Sequence, residues 1–234
     1  MDDIDFSIGF EDLLKDLQNC STAKFSVEIN EEDRAKMIEK LMKHERQLQD
    51  HGKLYSTEGY EMEIIRGQKY LFSLINVEQI IPEALKLEEI ERLREIAYTL
   101  YKPMSVTITV AAFFRNPMGR GIQPHQDLIY EDRSKSERIL SLNIDLVETN
   151  YKDGGLGYYY IPHGIVLQHR WCLKTGTWIL RSEEIKKLAK LDVHEPGMAR
   201  LHTSFNVHKA KGMSRNGRRG IVLRLIATCY GSTI

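Results

Sequence analysis

The sequence predicts a mainly β protein, a sandwich or barrel with helices packed on it. Three observations carry that expectation. From Met104 onward, short β-branched and aromatic runs alternate with turns rich in Gly, Pro and Asp. Before Met104, two long stretches space their apolar residues at helical intervals. No Pro/Gly/Ser-rich linker divides the two parts, so one domain over residues 1–234 is expected, with about 1–103 helical and about 104–234 forming the β core.

Taken in order, Phe10 to Leu17 is a short amphipathic run of one or two helical turns, and Phe25 to Ile29 alternates like a strand. Asn30 can cap a helix whose first turn holds Glu31, Glu32 and Asp33, where the helix dipole favours acids. Ile38, Leu41, Met42 and Leu48 continue it to His51-Gly52. His44 and His51 read as solvated helix residues. Tyr60 to Ser73 holds one or two strands. Val77 to Leu100 carries a second helical pattern, with Pro82 near its start and Pro103 as its stop. Strands are then expected at Val106–Phe114, around His125, at Ile139–Val147, Leu156–Ile161, Gly164–Trp171, Thr177–Leu180, Met198–Ser204 and Ile221–Cys229. Asn116–Gly121 and Asp153-Gly154-Gly155 are turns, and Glu183–Lys190 is a short helical insertion.

Composition narrows the function classes. Lys plus Arg and Asp plus Glu both number 33, and this balance argues against a protein built to grip nucleic acid or an anionic membrane. Cys20, Cys172 and Cys229 are odd in number and widely spaced, with neither a disulfide framework nor zinc-site spacing. The acidic Met1-Asp2-Asp3-Ile4-Asp5 start is not a secretory signal, and no apolar run is long enough to span a bilayer. A reducing cytoplasm is the expected location.

The chemistry concentrates at Pro124-His125-Gln126-Asp127. In an extended segment, residues two apart point to the same face, so His125 and Asp127 can aim into one pocket and share a metal ion. With a third ligand, for which His208 is the best candidate, they make the two-His, one-carboxylate set of non-haem Fe(II) oxygenases. His163, His169, His194 and His202 also lie in the β region, and His202 is the rival third ligand. His208 stands eleven residues after the Glu195-Pro196-Gly197 turn (208 − 197 = 11), and Arg219 stands eleven after His208 (219 − 208 = 11).

In this order of His-x-Asp, Gly turn, strand, His, and Arg opening the last strand, the chain resembles the Fe(II)/2-oxoglutarate-dependent oxygenases. Within them it most resembles the phytanoyl-CoA dioxygenase family. The matching segments are Gln123–Asp127, Asp153–Leu156 running into Tyr160-Ile161-Pro162-His163-Gly164, and His208 with Arg218-Arg219, within about residues 104–230. The chain departs from that family where a Ser and an Asn commonly follow the distal His; Ala210 and Met213 stand there, with Ser214 and Asn216 out of step. The resemblance implies a double-stranded β-helix (jelly roll), Fe(II) held by His125, Asp127 and His208, and 2-oxoglutarate and O2 as co-substrates. It implies hydroxylation of a small molecule with release of succinate and CO2, and no nucleic-acid or membrane partner. The far carboxylate of 2-oxoglutarate needs a planar cation offering two parallel hydrogen bonds, which Arg supplies and Lys does not. Arg219 is the choice for that contact and Arg218 the fallback, because neighbours on a strand face opposite ways. A carboxylate at Asp127 closes the position that related halogenases open to halide.

Other side chains have plainer readings. Tyr158-Tyr159-Tyr160 and Trp171 read as strand packing. His163 and His169 read as pocket lining or structural, and Arg115, Arg120 and Gln123 lie on the approach to the metal. Two alternatives remain. One is a nucleic-acid dealkylating oxygenase of the same fold, whose paired arginines Arg218 and Arg224 faintly resemble; the other is a non-catalytic jelly-roll binding protein.

Overall fold

A computed structural model describes residues 6–25, 27–51, 54, 59–132, 134, 136–147, 154–193, 199–212 and 220–231. Two antiparallel sheets face one another, with helices on the outer side of the larger. The helices are α1 (Phe6–Cys20), α2 (Glu31–His51), α3 (Glu89–Tyr101) and the short α4 (Ser182–Lys186). The strands are β1 (Thr22–Phe25), β2 (Tyr60–Ile65), β3 (Gln68–Ile75), β4 (Ser105–Arg115), β5 (Ile122–Gln126), β6 (Arg138–Asp145), β7 (Leu156–Tyr159), β8 (His169–Cys172), β9 (Thr177–Leu180), β10 (Lys190–Val193), β11 (Ala199–Thr203), β12 (Val207–Ala210) and β13 (Gly220–Tyr230). The larger sheet runs β1-β11-β6-β13-β4-β3-β2, the smaller runs β10-β7-β12-β5, and β8 and β9 form a separate hairpin. This is the jelly-roll core that the resemblance implied.

The period of two along each strand assigns opposite chemistries to the faces of the larger sheet. Val110, Ala112 and Phe114 of β4, Leu140, Leu142 and Ile144 of β6, Leu201 of β11, and Ile221, Leu223 and Leu225 of β13 join one apolar core. That core is completed from outside by Leu13 and Leu17 of α1, Met37 and Leu41 of α2, and Leu93, Ile96 and Ala97 of α3. The intervening residues, Arg115, Ser141, Asn143, Arg200, His202 and Arg224, belong to the other face, toward the smaller sheet. Arg200 lies over the ring of Tyr158 on β7, with its guanidinium carbon 5.0 Å from the centroid. His202 packs against His208 of β12 with ring centroids 4.5 Å apart. The jelly-roll interior is therefore lined by polar groups on one side, and the largest apolar core lies between sheet and helices.

The first hundred residues contribute more strand than their composition suggests. The strand expected at Phe25–Ile29 sits earlier, where Thr22 pairs with His202 and Phe25 with Ala199. Tyr60–Ser73 resolves into β2 and β3, and β3 joins β4. The helix expected at Phe10–Leu17 extends over four turns. The pattern over Val77–Leu100 is broken: two 3-10 turns precede α3, since Asn76 is left-handed (φ 56°) and Leu87 extended. At α2, the Asn30 side chain accepts the Asp33 backbone N–H at 2.8 Å, as a cap does.

Of the strand expected over Gly164–Trp171 only His169–Trp171 forms, as part of β8. The preceding backbone has another partner, because Leu167 N–H donates to the Gln126 side-chain oxygen and the Ile165 carbonyl accepts from its amide. The Glu195-Pro196-Gly197 turn, His194, Met213, Ser214, Asn216 and the Arg218-Arg219 pair lie outside the described residues. Among the described residues, no helix is long and apolar enough to cross a membrane.

Candidate metal centre

His125 is the fourth residue of β5, and Asp127 opens the 3-10 turn Asp127–Tyr130. Gln126 between them is extended (φ −113°, ψ 137°), so the two side chains project to the same side. β12 pairs with β5 so that His208 stands directly opposite His125. These three residues offer ligand atoms that all lie within 4.8 Å of one another. Asp127 Oδ1 is 3.4 Å from His125 Nε2 and 3.8 Å from His208 Nε2. His125 Nδ1 is 2.8 Å from the Gln123 carbonyl, which can only accept, so Nδ1 carries the proton and the Nε2 lone pair is free for a metal. One carboxylate and two imidazoles suit a divalent transition metal, with coordination positions left open.

Gln126 has a part in this geometry that sequence reading missed. Its side chain is fully buried and its amide N–H groups donate to the carbonyls of Ile165 (2.8 Å) and Phe205 (2.6 Å). Its side-chain oxygen accepts from Leu167, and its backbone N–H donates to His169 Nε2 at 3.1 Å. The residue between the two candidate ligands is thus tied from four directions, which fixes the direction in which both ligands point. His169 accepts that bond because its Nδ1–H is directed to the Leu167 carbonyl. His169 is therefore structural, as is His163, which packs edge-on against Phe205.

The carboxylate is 3% exposed. Burial by itself would raise its pKa. The charge of Arg224 and the hydrogen bond from His202 outweigh that, and hold it well below the usual carboxylate range. Burial also drives His208 well below the ordinary histidine value. His202, the rival third ligand, lies outside the metal-binding group, with its Nε2 3.4 Å from the other oxygen of Asp127, Oδ2. Arg224 bonds that same oxygen and the Ser141 hydroxyl.

The three side chains open onto a cavity of about 250 Å³, suited to small molecules. Arg115, Arg120 and Gln123 all reach its wall, as expected of the approach to the metal. Arg120 stacks on Phe72 (4.0 Å) and pairs with Glu61. Arg115 donates from Nε to the Gly154 carbonyl at 3.0 Å. Gly154 has φ +95°, and a Cβ there would lie 3.1 Å from three carbons of Arg115, so position 154 needs glycine. Tyr158 and Tyr159 are buried strand residues, as expected, whereas Tyr160 lies past the end of β7 and is exposed. Trp171 is not: it stacks edge-on against Trp178 in the β8–β9 hairpin and is half exposed, because that hairpin belongs to neither large sheet. Trp178, Thr175 and Thr177 of the hairpin border the cavity.

No protein-family profile and no curated protein sequence matches the chain. Solved structures do. EvdO2 from Micromonospora carbonacea var. aurantiaca, complexed with 2-oxoglutarate, superimposes with a TM-score of 0.70 at 21% identity, over 95% of this chain and 92% of that one. The epimerase SnoN of nogalamycin biosynthesis, in complex with Fe3+, alpha ketoglutarate and nogalamycin RO, gives 0.65 at 13% identity, over 95% and 86%. EctD from S. alaskensis, with 2-oxoglutarate and 5-hydroxyectoine, gives 0.64 at 14% identity, over 92% and 74%. The chain shares the fold of these three proteins.

Two outcomes are expected. Gln126→Ala removes the side-chain partner of two part-buried carbonyls and one part-buried N–H, at about 1–3 kcal/mol for such a loss. Chemical denaturation measures it; a stability within about 0.5 kcal/mol of wild type would contradict the anchoring. Separately, His163, His169, His202 and His208 are all held below the ordinary histidine value, each first by burial. Below about pH 6.5 the unfolded chain therefore binds more protons than the folded one, and stability decreases as the pH is lowered. Asp127, also held below its ordinary value, acts in the same direction in a lower window, losing its contribution only as the pH falls below about 3.9. The thermal midpoint of the metal-free chain should drop between about pH 7.5 and about pH 5.5, and a flat or rising midpoint would exclude this account.

Proposed function

We propose that the chain is a non-haem Fe(II)- and 2-oxoglutarate-dependent oxygenase that hydroxylates a small molecule. The observation that carries this reading is the convergence of His125, Asp127 and His208 on the cavity, with the proton of His125 placed on the nitrogen away from the metal position. The fold shared with EvdO2 and SnoN supports it, since those proteins were solved with 2-oxoglutarate and with iron and alpha ketoglutarate. Hydroxylation is favoured by EctD, solved with a hydroxylated small molecule; the SnoN epimerase shows that one fold supports more than one outcome. The sequence resemblance to the phytanoyl-CoA dioxygenase family remains part of this reading.

In this assignment His125, Asp127 and His208 hold the iron. Bound there, iron with 2-oxoglutarate would supply the oxidising power, one oxygen atom of O2 going into succinate as 2-oxoglutarate loses CO2 and the other into the substrate. The protein positions the reactants. Phe72, Phe113, Leu156 and Trp178 give the cavity apolar walls, and Arg120, Gln123 and Thr177 offer polar contacts for orienting a substrate. Arg219, with Arg218 as fallback, is assigned to the far carboxylate of 2-oxoglutarate. O2 and a small molecule are the remaining partners.

Anaerobic titration with Fe(II) and 2-oxoglutarate tests the cofactor set, and succinate release on admitting O2 tests the reaction. His125→Ala, Asp127→Ala and His208→Ala should each weaken Fe(II) binding more than ~100-fold, beyond the ~10–100-fold typical of residues that only support ligands. Wild-type affinity in any of the three would remove that residue from the set. Arg219→Ala should weaken 2-oxoglutarate binding with iron saturating. A charge-assisted bidentate contact is worth ~2–5 kcal/mol on truncation, which is on the order of 30-fold to several thousand-fold. Arg219→Lys should recover part of it. Damage confined to Arg218→Ala would continue the register in which Arg224 reaches the cavity; no effect from either would refute the 2-oxoglutarate assignment.

A further inference from the structure

Asp127 has two oxygens, and the structure treats them differently. Oδ1 faces the Nε2 atoms of His125 and His208. Oδ2 faces His202 Nε2 at 3.4 Å and the guanidinium of Arg224. The two groups on Oδ2 come from β11 and β13, the strands on either side of β6. Each is held by a β6 residue facing the same way: Asn143 Nδ2 lies 3.1 Å from His202 Nδ1, and Ser141 Oγ accepts from Arg224 at 2.6 Å. In the ladder Ser141 stands opposite His202 and Asn143 opposite Arg224, so both contacts run diagonally. Two neighbouring strands and the one between them thus grip a single carboxylate oxygen.

The protons on His202 follow from that oxygen. A carboxylate oxygen without its proton only accepts, so the nitrogen facing it must carry a hydrogen. His202 is 1% exposed, and its Nε2 is the nitrogen that faces the carboxylate, so Nε2 carries the hydrogen. Its Nδ1 faces the Asn143 amide nitrogen, which can only donate, so Nδ1 accepts. Were Asn143 turned to present its oxygen, the proton would move to Nδ1 and an imidazole lone pair would face Asp127.

We propose that His202, oriented by Asn143, is a positioning residue for the metal-binding carboxylate. Together with Arg224 on Ser141, it holds Oδ2 away so that Asp127 offers the metal one oxygen and leaves a coordination position open. The inference rests on the metal-centre reading above. It gives His202 a place in the site that is distinct from the third-ligand position.

The test is metal affinity without 2-oxoglutarate, using Co(II) or anaerobic Fe(II), with the visible Co(II) spectrum reporting the ligand set. His202→Leu should weaken binding ~10–100-fold while keeping the wild-type Co(II) spectrum, because an orienting partner is lost, no ligand is, and Arg224 still holds Oδ2. His202→Gln places an amide N–H near the Nε2 position and should recover most of the affinity. Asn143→Leu should weaken binding in the wild-type background and add little to His202→Leu, since Asn143 acts through His202. If His202→Leu does not fold, the contrast between Asn143→Leu and His202→Gln decides. Affinity unchanged in His202→Leu and Asn143→Leu overturns the inference. A loss in His202→Leu equal to that in His208→Ala, with an altered spectrum, also overturns it and makes His202 a ligand. A wild-type chain that binds neither metal overturns the metal-centre reading and this inference together, whereas wild-type binding insensitive to His202 overturns this inference alone.

Discussion

A carboxylate buried among three imidazoles and a guanidinium is the constraint around which the site is built. Removing a charge from water is costly unless opposite charge and hydrogen bonds replace the water. Asp127 receives both, and the four side chains around it come from both sheets. His125 and His208 come from the smaller sheet and His202 and Arg224 from the larger. The two sheets therefore meet over one residue, and their spacing sets the site's geometry. The rigid tie of Gln126 to three separate loop carbonyls and amides serves the same end from behind.

The strand order makes this possible. β11, β6 and β13 are adjacent in space though far apart in the chain, and their cavity-facing residues form a compact polar block. The same alternation delivers Leu201, Leu142, Leu223 and Leu225 to the opposite side, under the helices. One period of two thus produces both the binding chemistry and the largest apolar core.

Some of this was legible in the sequence. The two-residue spacing of His125 and Asp127 needs only a locally extended chain, and Gln126 is extended. His208 could be ranked above His202 by its spacing to Gly197 and Arg219, and the structure brings it opposite His125 although its strand, Val207–Ala210, is too short to announce itself. What could not be read was everything that depends on strand order. Gln126 looks like a spacer until the backbone at Ile165–Leu167 and Phe205 is seen to end on it. Asn143 and Ser141 are ordinary polar strand residues until their neighbours are known. Arg224 could be noticed as one of a pair of arginines, but not as a partner of Asp127. In the first hundred residues, local periodicity found the helices, while β1 and β3 owe their strand identity to partners later in the chain, β11 and β4.

The polar lining of the jelly roll has a consequence for what the helical layer is. In many sandwiches the two sheets bury their apolar faces against each other, and whatever is attached outside can be shed. Here the space between the sheets is occupied by the site, and the larger sheet turns its leucines and isoleucines outward to α1, α2 and α3. Stripped of those helices, the β core would present a broad oily face to water, the kind of surface that drives chains to associate. The N-terminal hundred residues are thus a wall of the building rather than an annex. A shortened version limited to the segment that carries the recognisable motifs would keep every ligand and lose the folded state that holds them.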